Sequence, residues 1–195
     1  TAPCMGRDID VIVANPPCGT KWSGYEKEIK NDQKVQFPGG LPSVSDGQLL
    51  FMQHILWQLD QSGIAVEVHN GSTLFSGDAG SGESNIRKYI FDHDWVEAII
   101  QMPQNEFFNT GIYTYLWIMN KQKSYERKDK VALIDGSHLW RLLKKAKGDK
   151  RREMTIEHRT AIVKALTDFV PSDICKIFDR EHFYYNKQSL TLTEV

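Results

Sequence analysis

The stretch "DVIVANPPCGTKW", residues 10–22, runs through small and apolar residues and stops at Asn15-Pro16-Pro17-Cys18. Proline has no N–H and fixes φ, so two in succession freeze the turn and leave nearby backbone carbonyls without local donors. The turn offers two hydrogen-bond acceptors at fixed positions, the Asn15 side-chain oxygen and the Pro16 carbonyl. Such a pair suits a planar amino group. Once both its hydrogens are accepted, the nitrogen lone pair is drawn out of conjugation and aimed at an electrophile. A plain strand-terminating turn can use the same residues, so the surrounding elements decide between the two readings.

Strand and helix patterns alternate along the chain. Asp10–Ala14 reads as a buried strand, Gly47–Leu59 as a helix with Ser45 or Asp46 as N-cap, and Gly63–Gly71 as a strand after a glycine turn. A helix is predicted over Glu83–His93, followed by strands at Val96–Met102, Tyr113–Asn120 and Val131–Asp135. This alternation predicts an α/β fold around a parallel sheet. In open sheets of that kind, ligands sit outside the carboxyl ends of the strands, which is where Asn15 stands. After Gly136 the character changes. A basic stretch precedes a predicted helix, Ile156–Phe169, capped by Thr155, and an aromatic-rich tail follows.

With 195 residues, the chain is long enough for one domain with a substantial core. The net charge of −1 exerts no global pull on polyanions, so any such site must be a local patch. No apolar run approaches a membrane span and no signal peptide opens the chain. Cys4, Cys18 and Cys175 are odd in number and far apart, which fits neither a zinc site nor a disulfide framework and points to a reducing cytoplasm. The six histidines are scattered, and no metal site is expected. His69 is read as a structural histidine, with lining of a pocket as the alternative.

Several segments could be more than they look. Gly77–Ser84, "GDAGSGES", has the spacing of a phosphate-binding loop, but Glu83 stands where a lysine belongs and would repel phosphates. It is read as a flexible loop leading into a helix. The Gly/Pro-rich segment Phe37–Gly47 is read either as a ligand-facing loop or as a linker. Phe107 and Phe108, in the loop Pro103–Ile112, would face opposite ways on an extended segment.

Beyond the tetrapeptide, "SDGQLLFMQHIL", "VHNGSTLFSGDAGSGESNIRKYI", "DWVEAIIQMPQNEFFNTGIYTYLWIMNK" and "VALIDGSHLW" resemble, in order, the modification subunits of type I restriction–modification systems. The likeness runs from about Asp8 to Phe183. It implies an S-adenosylmethionine-dependent methyltransferase (Rossmann-like) fold and methylation of adenine N6 in double-stranded DNA, the target base being flipped out. It also implies as partners a DNA-specificity subunit, a restriction subunit and a second modification subunit. By the resemblance, Asn15 and Pro16 accept the adenine amino group, Pro17 rigidifies the turn, and Asn15 borders the cofactor. The next position is normally Phe or Tyr, which packs on the base. Here it is Cys18, which lacks a π face worth roughly 1–3 kcal/mol in stacking.

In related adenine methyltransferases a phenylalanine of the later loop stacks on the extruded base. Phe108 is favoured for that role, with Phe107 and Asn109 beside it; simple loop packing is the alternative. Between Arg141 and Arg152 seven of twelve residues are basic. Lys144, Lys145, Lys147, Arg151 and Arg152 are candidates for phosphate contact, the other reading being a solvated connector.

The family's glycine-rich cofactor turn cannot be placed in this chain. Residues 1–136 are therefore expected to be the carboxyl-terminal half of a catalytic domain, truncated relative to the family fold, and 137–195 a basic, partly helical extension. The first strand would then lie beside strands outside the chain, so its free edge is expected to be covered. Two alternatives stay open: a glutamine- or RNA-directed amino-methyltransferase, and a non-catalytic DNA-binding or assembly module.

Overall fold

The structure, a computed structural model, describes residues 8–108 and 110–190. Eight strands and five α-helices follow one another as β1 (Ile9–Ala14), α1 (Glu26–Gln36), α2 (Gln48–Gln58), β2 (Leu59–Asn70), α3 (Ser72–Phe75), α4 (Gly82–Asp92), β3 (Val96–Gln101), β4 (Thr114–Asn120), β5 (Lys130–Asp135), β6 (Arg141–Lys147), β7 (Lys150–Glu153), α5 (Ile156–Asp168) and β8 (Cys175–Asp179). Among the described residues no helix is long and apolar enough to cross a membrane.

Six strands form one sheet in the order β1-β2-β4-β3-β5-β8. The expectation of a parallel sheet needs correction, because the sheet is mixed. β1 pairs with β2 and β3 with β5 in parallel, while β4 runs antiparallel to both β2 and β3, and β8 antiparallel to β5. The cause is local. A parallel neighbour needs a crossover connection, usually helical, and the described residues between β3 and β4 contain no helix, so the chain turns straight back. The helical crossovers lie elsewhere, α1 and α2 between β1 and β2, and α3 and α4 between β2 and β3.

Strand alternation sorts side chains onto two faces. On one, Leu49, Met52, Ile55 and Leu56 of α2 and Ile86 and Ile90 of α4 pack on Ala65, Trp117 and Met119. On the other, Ile162 and Ala165 of α5 pack on Ala98, Ile100, Ala132, Ile134 and Cys175. Each fully buried Leu, Ile or Met among them is worth about 1.5–3 kcal/mol. The second face is covered around β4, β3, β5 and β8. On β1, Val11 and Val13 are 64% and 77% exposed, and β1 has no strand neighbour other than β2 among the described residues.

β2 begins four residues before the predicted strand, because Leu59 already pairs with Ile9 ahead of an irregularity that restores register at Val11–Ile64. α5 starts as expected at Thr155, whose hydroxyl accepts the His158 N–H while the His158 ring accepts the Thr155 N–H. The tail beyond residue 136 holds more than a helix. It contributes the hairpin β6–β7 and returns β8 to the edge of the main sheet.

The "GDAGSGES" segment is a helix cap and a packing joint. Ser81 caps α4 by accepting the Ser84 N–H, and Glu83 accepts the Ser43 N–H at 2.7 Å, tying α4 to the loop before α2. At Gly82 an added Cβ would run into the Leu41 carbonyl oxygen. Gly82→Ala is therefore expected to cost about 1–3 kcal/mol, as overpacking against backbone does, read as a lower denaturation midpoint with an unchanged slope.

Candidate active site

β1 delivers Asn15–Cys18 at its carboxyl end. Asn15 is exposed, and its carboxamide makes no hydrogen bond among the described residues. The far side of the loop is anchored. Gly19 turns the chain at φ +65°, the Thr20 carbonyl accepts the Gly47 N–H at 2.9 Å, and Trp22 bonds back to the 43–44 backbone through its own N–H and its indole N–H. Trp22 is buried with Phe37 and Leu50. The Phe37–Gly47 segment is therefore the wall that holds this loop.

A network that sequence reasoning missed lies next to the loop. Gln48, fully buried, donates its amide to Asp46 and Asn70 at 2.8 and 3.1 Å and accepts the Asn70 N–H at 3.0 Å. The Ser72 hydroxyl joins Asp46 at 3.0 Å and Asn70 at 2.5 Å. The carboxyl end of β2 is thereby clamped to the start of α2. The predicted N-cap is also corrected. Gly47 holds that position, and Asp46, one residue earlier, accepts the Gln48 N–H. The signal was present in "SDGQ" and "HNGS", polar clusters opening a helix and closing a strand, but their pairing spans 22–26 residues.

The Cys18 thiol belongs to the same neighbourhood. Burial pushes it up; the Asn70 N–H pulls it down, and the nearby Asp46 and Glu67 charges push it further up. A thiol kept neutral is a small apolar contact and a poor nucleophile.

Glu67 and His69, whose side chains point into the core from β2, are wholly buried and lie 3.1 Å apart. His69 is thus a core residue packed edge-on against Trp117. Burial raises the Glu67 carboxyl, and His69 partly offsets this. A carboxyl raised in the fold supports stability while protonated and loses that support as pH rises from the usual carboxylate range through its folded value. Glu67→Leu with His69→Leu is expected to stabilise the fold by about 1–4 kcal/mol near neutral pH and to flatten this pH dependence, measured by thermal unfolding across pH.

The loop between β3 and β4 emerges at the same sheet end as Asn15. Thr114, which closes it, pairs with Asn70 on β2, the strand next to β1. Two strand spacings, about 10 Å, therefore separate its β4 end from the β1 end. Phe107 is half-buried and Phe108 is 63% exposed, so the two adjacent side chains differ in exposure. Asn109 lies outside the described residues.

The basic stretch is neither a plain connector nor a helix. It is the hairpin β6–β7, closed by Gly148-Asp149 with Gly148 at φ +62°. A two-residue Gly-X turn is a hairpin signal that the density of charge obscured. Arg141 pairs with Glu153 at 2.8 Å and the Arg152 guanidinium lies 3.9 Å from the Trp140 ring centroid, so these two are engaged. Lys144, Lys145, Lys147 and Arg151 are exposed, with no ion pair among the described residues.

The structure thus brings Asn15–Cys18, Phe107–Phe108 and the basic hairpin to one end of the sheet. A separate cavity of about 1070 Å³ on the helical face, lined by Phe91, Trp117, Tyr115 and the 183–186 tail, contains none of them.

Known proteins share both sequence and fold with this chain. Residues 2–193 match the N-6 DNA Methylase family. The type I restriction enzyme MpnII methylase subunit of Mycoplasma pneumoniae is 35% identical over 130 residues, 66% of this chain and 23% of that protein. The MjaVIII methylase subunit of Methanocaldococcus jannaschii is 29% identical over 191 residues, 94% of this chain and 31% of that protein. The crystal structure of a type I restriction–modification methyltransferase subunit from Streptococcus thermophilus superposes with a TM-score of 0.78 at 26% identity, covering 92% of this chain and 36% of that one. The chain spans about a quarter to a third of the curated relatives it matches.

Proposed function

The chain belongs to the N-6 DNA Methylase family, and on that premise we propose that it forms the target-nitrogen side of the active site in a type I modification subunit. That subunit methylates adenine N6 in double-stranded DNA. The observation that carries the reading is Asn15. Its carboxamide is exposed and unpaired at a strand's carboxyl end, on a loop frozen by two prolines and anchored through Thr20 and Trp22.

A base inside the duplex cannot reach that loop, so the adenine is flipped out, at a cost of a few kcal/mol. S-adenosylmethionine, when bound, supplies a methyl on a positively charged sulfur. Asn15 Oδ1 and the Pro16 carbonyl accept the two N6 hydrogens and hold the lone pair toward that methyl. In methyl transfer to that nitrogen the same oxygens would stabilise the positive charge growing on it, and the surplus proton would leave to water. Pro17 keeps both oxygens in place, and Cys18 gives an apolar contact where the base edge sits.

Phe108 supplies the stacking face that Cys18 lacks, with Phe107 supporting it from inside. Asn15 also borders the cofactor. Lys144, Lys145, Lys147 and Arg151 meet phosphates, while Arg152 stiffens the hairpin through Trp140. Partners are a DNA-specificity subunit, a restriction subunit and a second modification subunit, working in the cytoplasm.

The test is methyl transfer by the complete subunit assembled with its specificity subunit, using labelled S-adenosylmethionine and duplex DNA. N6-methyladenine among the digested nucleosides is expected. Label in protein glutamine, in RNA or nowhere would overturn the reading.

A further inference from the structure

Among the described residues the loop between β3 and β4 and the basic hairpin are joined by six hydrogen bonds. The Asn105 carbonyl accepts the N–H groups of Arg151 and Arg152 at 3.0 and 3.3 Å, and its side-chain amide donates to the Asp149 carbonyl at 3.1 Å. The Phe108 carbonyl accepts the Asp149 N–H at 3.0 Å. Gly148 approaches so closely that a Cβ there would lie 2.6 Å from the Phe108 carbonyl oxygen. Lys150 crosses between the two segments. Its ammonium donates to the Glu106 carbonyl at 2.6 Å and to the Glu106 carboxylate at 2.9 Å, with the Phe108 ring centroid 5.8 Å away.

The Lys150 and Glu106 side chains are only 15% and 16% exposed, whereas Lys144, Lys145, Lys147 and Arg151 are exposed. Between Arg141 and Glu153 seven cations face two acids, in a chain whose net charge is −1. The hairpin therefore divides its charge. Lys144, Lys145, Lys147 and Arg151 point outward, and Lys150 turns inward to the loop that bears Phe108.

We propose that Lys150 and Glu106 form a latch that ties the hairpin to the base loop, so that seating the hairpin on DNA phosphates sets the position of Phe108 against the flipped adenine. The proposal rests on the adenine-methylation reading above and adds two positioning residues to it. A hairpin so small has little core of its own, and Leu142 is exposed, so its orientation depends on these contacts. Without the inward cation the outer lysines still find phosphates. Four hydrogen bonds through Asn105 and Phe108 still hold the loop, but Glu106 and the neighbouring Phe108 ring lose the cation that fixes them.

The experiment uses the complete subunit with its specificity partner and a duplex carrying a fluorescent adenine analogue at the target. Three readouts are taken: DNA affinity, analogue fluorescence at saturating protein, and kcat for methyl transfer on unmodified duplex. Lys150→Met is expected to lower kcat about tenfold and to dim the flipped-base signal at saturation, with affinity changed by about twofold or less. Lys145→Ala is expected to do the reverse, weakening affinity while the saturated signal stands. The charge swap Glu106→Lys with Lys150→Glu should regain part of the kcat lost in Lys150→Met.

The latch is overturned if Lys150→Met behaves like Lys145→Ala, or changes nothing while wild type methylates DNA. If Lys150→Met loosens the hairpin to proteolysis near residues 141–153, the swap decides. Recovery supports the latch, and an intact hairpin without recovery overturns it. A wild-type subunit that makes no N6-methyladenine overturns both the latch and the reading beneath it.

Discussion

Asn15→Ala in the complete subunit is expected to lower the rate of adenine methylation by about a hundredfold to a thousandfold, the scale seen when one preorganised hydrogen-bonding group facing developing charge is removed. The loss should fall on kcat. On the proposed reading Asn15 orients one nitrogen and does not anchor the duplex, so DNA affinity should stay within about twofold, as expected for an interaction made mainly in the transition state. The fold should tolerate the change, because the side chain is exposed and has no partner among the described residues. Single-turnover methylation and DNA titration separate the two quantities. An equal drop in affinity and rate would make Asn15 a ground-state binding group.

Replacing Lys144, Lys145, Lys147 and Arg151 together by alanine is the second large effect. Each phosphate contact contributes about 0.9 to the slope of log affinity against log salt, so losing four should reduce that slope by roughly three to four. The loss should be similar for specific and unrelated duplexes, since phosphates carry no sequence. Anisotropy titrations over a salt series measure it directly. An unchanged slope would show that the hairpin does not touch DNA. Lys150 and Arg152 are left out of the set because the Glu106 and Trp140 contacts already engage them.

What could be read from the sequence was what depends on neighbours in the chain. β1, α2, α4, β3, β4, β5 and α5 all carry local periodicity or a local cap, and each lies within a few residues of its predicted span. Strand direction depends on connections, and it was misjudged where helix and strand patterns alternated everywhere except between β3 and β4. Two parts of the candidate site depend on distant partners. The Gln48–Asn70 clamp joins residues 22 apart, and the Lys150–Glu106 contact joins residues 44 apart. No periodicity encodes either. The hairpin shows the difference most clearly. Its turn residues were visible in "KGDK", but the reason the segment stands as a hairpin is the loop it docks on.

The open flank of β1 bears on how this stretch of polypeptide behaves in the test tube. Val11 and Val13 project from the uncovered face, Ile64 lies beside Val11 on β2, and no charged side chain shares the outward positions of Val11 and Val13. A strand edge with no charge from Val11 to Ala14, next to bare aliphatic surface, is a template for edge-to-edge aggregation. Produced by itself, the 195-residue chain should give inclusion bodies or soluble aggregates, not a well-behaved sample for crystallisation or NMR. One gatekeeper charge is the economical remedy. Val13 is the more exposed of the two, so Val13→Lys places an ammonium on the edge with little loss of core packing, and a higher soluble yield after centrifugation is the sign that the edge was the cause.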